Sequence, residues 1–79
     1  MFRILVKTAA VAIDDRQVDV RYFELRTLRG TRRYSAEILI GPGDRIILDD
    51  DSVTNLEART ARLVPATLLS RMLARATAA

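Results

Sequence analysis

Two groups of charged side chains in this 79-residue chain have the types and spacing to do chemistry. The first is the run Asp49-Asp50-Asp51, with Asp44 shortly before it. Oxygen-rich clusters of this kind hold hard cations such as Mg²⁺ or Ca²⁺. Consecutive residues in an extended segment point in alternating directions, however, so the three carboxylates converge poorly. EF-hand spacing is absent, and Glu57 lies too far along to close such a loop. The run also immediately precedes an apolar helical pattern, where acidic residues favour the positive end of the helix dipole. A helix start is the preferred reading, and neither a metal nor any other cofactor is expected.

The second group is Arg21, Arg26, Arg29, Arg32 and Arg33, spread over residues 21–33. A basic β-ribbon can enter a groove of nucleic acid and set arginines on phosphates. The plainer reading is a charged rim that keeps a strand edge soluble, with Glu24 and Glu37 offsetting part of the charge. Arg26, Arg29, Arg32 and Arg33 are the candidate nucleic-acid contacts, a reading kept as the alternative and not the favoured one.

Other chemistries are excluded by residue type. The sequence has no histidine and no cysteine. It therefore lacks the commonest general base, thiolate nucleophiles and the usual transition-metal ligands. Ser35, Ser52 and Ser70 cannot form a Ser-His-Asp triad, and nothing places Lys7, the single lysine, beside a serine. Gly41-Pro42-Gly43-Asp44 lacks the spacing of a phosphate loop and leads into a strand, so it reads as a turn. No enzymatic activity is expected.

The elements that would position these residues follow from periodicity. Phe2, Ile4 and Val6 alternate with Arg3, Leu5 and Lys7, the period of a strand. Residues 8–13, small and apolar, extend that strand or make a short helical turn, and residues 14–17 break it. Residues 18–28 and 31–40 are rich in β-branched and aromatic types around Arg29-Gly30, which predicts an antiparallel hairpin. A two-residue loop would set Leu25 opposite Tyr34, Phe23 opposite Ala36 and Arg21 opposite Ile38, with Arg26 directly facing Arg33. A loop one or two residues longer is also open. In the two-residue register Val18, Val20, Tyr22 and Leu39 collect on the face opposite the core. Either a β-bulge near Arg21-Tyr22 switches the phase, or that end of the sheet is apolar on both faces and needs a cover from the N-terminal segment or another subunit. These four residues are the candidate partner interface.

A further strand is expected over residues 45–48. Beyond Ser52, helical spacing of Val53, Leu56, Thr60 and Leu63 predicts a helix that stops at Pro65, and Leu68, Leu69, Met72 and Leu73 predict a second. The whole is one small α+β domain over residues 1–79. It is an antiparallel β-meander of three to four strands followed by two C-terminal helices packed on one sheet face.

With an apolar fraction of 49% and a charged fraction of 29%, the chain has the composition of a folded protein. A core of this size leaves a margin of roughly 3–5 kcal/mol. Without disulfides or metal, a partner subunit is the natural supplement. The net charge of +3 mildly favours acidic partners. Lys7 and Asp14-Asp15 spoil a signal peptide, and no apolar stretch is long enough for a membrane helix. The expectation is a cytoplasmic protein of bacterial type, acting as a non-enzymatic protein-interaction or assembly module, as a homodimer or with another protein.

Overall fold

The computed structural model describes residues 2–13 and 15–79 less the last; Thr77 and Ala78 are described in backbone only. Four antiparallel strands form one open sheet in the order β1-β2-β3-β4: β1 (Phe2–Ile13), β2 (Arg16–Arg26), β3 (Arg32–Gly41) and β4 (Asp44–Asp50). A single helix, α1 (Val53–Ala78), follows and lies across one face. The α+β meander is as the periodicity predicts, and residues 8–13 belong to the first strand. At the start of β1 the alternation is interrupted by a bulge between Leu5 and Lys7.

The β2–β3 hairpin turns through three residues and not two. The Gly30 N–H donates to the Thr27 carbonyl at 3.0 Å, and the Thr27 N–H to the Thr31 carbonyl at 3.3 Å. Gly30 sits at φ +77°, the left-handed region that glycine enters at least cost. A three-residue loop closed by a left-handed glycine is a common hairpin connection.

The extra loop residue moves the register by one. Val20 now faces Ile38, Tyr22 faces Ala36, Arg21 faces Glu37 and Arg26 faces Arg32. A one-residue slip exchanges the two faces of a strand pair. Val18, Val20 and Tyr22 thus share the inner face with Ala36, Ile38 and Ile40, and all six are buried. No bulge occurs in β2; the phase change lies across the ladder in β1, beside Tyr22 and Phe23. After it, Ala9, Val11 and Ile13 join the inner face, and Ile46 and Leu48 extend it on β4.

Leu56, Thr60, Val64 and Leu68 of α1 pack down on this surface. Each fully buried aliphatic side chain contributes on the order of 1.5–3 kcal/mol. That continuous stripe explains why the expected second helix does not exist. Breaking the chain at Pro65 would lift Val64 or Leu68 out of the core, a larger loss than one missing helix hydrogen bond. Pro65 and Ala61 are both on the exposed side, where water reaches the carbonyl that proline leaves unpaired. The helix start is capped by Ser52, whose Oγ accepts from the Asn55 N–H at 3.1 Å.

Pro65→Ala is expected to stabilise the fold by about 2 kcal/mol, read as a higher urea midpoint at unchanged slope. Thr60 is buried at 1% exposure and its hydroxyl has no hydrogen-bond partner. Thr60→Val should therefore add about 1 kcal/mol in the same measurement. A loss of stability in both variants would contradict the placement of the helix.

Candidate functional site

Two carboxylates of the acidic group, Asp44 and Asp50, hold the helix to the sheet, and Arg59 also donates to the Asp49 backbone carbonyl at 2.8 Å. Asp44 accepts from Arg71 through Nε at 2.8 Å and Nη2 at 3.2 Å. Asp50 accepts from the Asp51 N–H at 2.7 Å, from Asn55 Nδ2 at 3.1 Å and from Arg59 Nη1 at 3.2 Å. Asp51 pairs with Arg33. The hydrogen bond from Arg71 holds the Asp44 carboxyl below its ordinary value, and those from Asn55 and the Asp51 amide do the same for Asp50. Across the sheet, Lys7 donates to Glu57 at 2.8 Å, which raises the Lys7 ammonium. Among the described residues, no three acidic, histidine or cysteine side chains converge as a cation site would need.

The hairpin arginines are divided by the register. Arg26 and Arg32 face each other on the inner side and share one carboxylate, Glu24, at 2.9 and 3.6 Å. Arg33 stands opposite Leu25 on the outer side, so the expected Arg26–Arg33 pair does not form. Arg29 occupies the exposed turn and makes no ion pair among the described residues. Arg21 is on the outer face, where it and Arg45 flank the buried Glu37 at 3.5 and 3.2 Å. This ladder crosses three strands, and half-exposed cations offset the cost of burying one carboxylate.

The expected partner residues are divided as well. Val18, Val20 and Tyr22 lie under α1, whereas Leu39 is on the outer face opposite Asp19 and Arg45. Leu28 in the hairpin turn and Ile47 on β4 are exposed singly, and among the described residues exposed apolar side chains gather in two further places. At the start of β1, Phe2 is 60% exposed, and Ile4, Leu5 and Val6 are open beside it. β1 is an outer strand of the sheet, so its free side also presents backbone donors and acceptors. The second place is the later part of α1, where Leu69 and Met72 are more than half exposed. With Ile13, Pro65 and Leu68, and with Asp15 and Arg16 at the β1–β2 turn, they line a cleft of about 260 Å³ at the far end of β1. On the outer face the Phe23 ring is covered by the Arg3 guanidinium, 4.2 Å above its centre.

The signal for the first place was present in the sequence. Residues 2–6 are apolar at both parities, Arg3 apart, and a strand apolar on both faces lacks a solvent side. Comparison with protein-family models, with curated proteins and with solved structures finds no match.

A carboxyl held below its ordinary value of 3.8 stabilises the fold above that pH and loses its contribution as pH falls through the folded-state value. Thermal scans are expected to show a level midpoint down to about pH 5 and a decline below about pH 4. Asp44→Asn should lower the midpoint at neutral pH and make the acid decline shallower. A midpoint that climbs on acidification would contradict the helix–sheet pairings.

Proposed function

We propose that this chain is a non-enzymatic protein-binding module that docks an extended segment of its partner along the free edge of β1. The observation that carries this reading is the contrast between the two sheet edges. β4 is short, with seven residues, three of them aspartates, and its side of the helix carries Arg59 and Arg62. β1 has twelve residues, only Arg3 and Lys7 are charged, and Phe2, Ile4, Leu5 and Val6 are exposed. Charge and short length are what keep an edge strand from pairing. Main-chain hydrogen bonds to an added strand give affinity, and alternate side chains give specificity. The lack of histidine and cysteine is consistent with a binding role. A photo-crosslinking residue at Val6 is expected to give discrete protein adducts in cells, and one at Ala58, on the solvent side of α1, none. Equal labelling at the two positions would sink the reading.

A second reading, nucleic-acid binding by the hairpin tip, is favoured by one observation. Arg26, Arg29 and Arg32 lie close in the chain with only Glu24 among them as a counter-charge. Under that reading duplex DNA binds at about 50 mM salt, weakens steeply by 200 mM, and is released by Arg29→Ala with Arg32→Ala. Absence of binding at the lower salt removes it.

A further inference from the structure

The occupant that the β1 edge fits best is a second copy of this chain, an inference that rests on the strand-docking reading above. We infer that two copies pair their β1 strands antiparallel about a two-fold axis at Ala9, joining two four-stranded sheets into one continuous sheet.

The amount of open surface is the first argument. The chain exposes 5607 Å², whereas a compact monomer of its 8.9 kDa exposes ~4,800 Å². The excess of about 800 Å² matches one partner's share of a standard protein–protein interface. The radius of gyration, 14.2 Å, likewise exceeds the roughly 12 Å of a compact chain of this length.

The second argument is the phase of the side chains across the seam. Directly opposed residues in an antiparallel pair share a face. An axis at Ala9 sets Thr8 opposite Ala10 of the second copy, both on the outer face, and Lys7 opposite Val11, both on the inner face. Without the bulge Ile4 and Phe2, of the other parity, would stand on the outer face, away from the helix. The extra residue at Val6 turns them to the inner face. Leu5 then meets Ala12 on the outer face, and Ile4 meets Ile13 on the inner face. No like charges face each other along this seam, and small side chains line its centre.

The third argument is that the two exposed apolar places become each other's cover. Ile4 and Phe2 are at one end of β1 on the inner face, opposite Glu24 and Arg26. The cleft of Ile13, Leu69 and Met72, with Asp15 and Arg16 on its wall, is at the other end, on the same face. Antiparallel pairing brings the start of one β1 beside the end of the other. Phe2 and Ile4 of each copy therefore enter beneath Leu69 and Met72 of its mate, and symmetry makes the contact twice.

Light scattering at tens of micromolar should give twice the 8.9 kDa chain mass. Thr8→Glu with Ala10→Glu sets carboxylates against each other across the axis. It should weaken the dimer about 100-fold or more, with circular dichroism unchanged. Mixing that variant with Thr8→Lys plus Ala10→Lys should restore the two-chain mass. Should the seam variants not fold, Leu69→Glu with Met72→Glu alters only exposed positions and should also shift the mass toward one chain. A wild-type chain that stays at the single mass, or a dimer indifferent to both charge pairs, overturns the inference. Crosslinks from Val6 to a different protein in a single-mass chain would leave strand docking standing and remove only the second copy. No crosslink from Val6 at all would remove both.

Discussion

The structure depends on one packing constraint: a single helix covers a single face of the sheet. Leu56, Val64 and Leu68 must find an unbroken apolar surface beneath them, and that surface exists only if Val18, Val20 and Tyr22 fall on the same side as Ala36, Ile38 and Ile40. The hairpin loop decides this. With Gly30 left-handed and three residues in the turn, the inner face is apolar and the outer face carries Arg21, Glu37 and Arg45. A two-residue turn would have buried Asp19 and Arg21 under the helix, at a desolvation cost that so small a core could not offset.

Charges then orient what the apolar contacts hold. Lys7–Glu57 joins β1 and Asp50–Arg59 joins β4 to the first turns of α1, and Asp44–Arg71 joins the start of β4 to the helix's later half. Exposed pairs of this kind add little stability each. They tie the helix to the two outer strands of the sheet, β1 and β4. Asp44 and Asp50, of the aspartates that resemble a cation site, are occupied in this task, and three hairpin arginines are occupied by Glu24 and Asp51.

α1 meets the first half of β1 at Lys7, through Glu57, and Phe2 and Ile4 lie exposed beyond that contact. Because α1 also continues uninterrupted through Pro65, its later turns leave Leu69 and Met72 exposed beside Ile13. The exposed apolar surface is thus a consequence of element lengths. A 26-residue helix and a 12-residue strand are both longer than the core they share.

The sequence by itself determined the meander, the hairpin near Arg29-Gly30, the turn at Pro42-Gly43 and the helical stripe through Leu56 and Thr60. Each rests on local periodicity or on the φ preference of a glycine or proline, which neighbouring residues suffice to express. Three matters were decided only by tertiary structure. The loop length could not be chosen locally, because two- and three-residue turns both suit Gly30; burial of Val20 against Ile38 selected one. The helix could not be seen to pass Pro65, since local rules end it there and only the sheet beneath Val64 and Leu68 outweighs them. The bulge at Val6 left no mark in a segment already apolar at both parities, and its effect, bringing Ile4 and Ile13 to one face, arises only when β1 lies against β2.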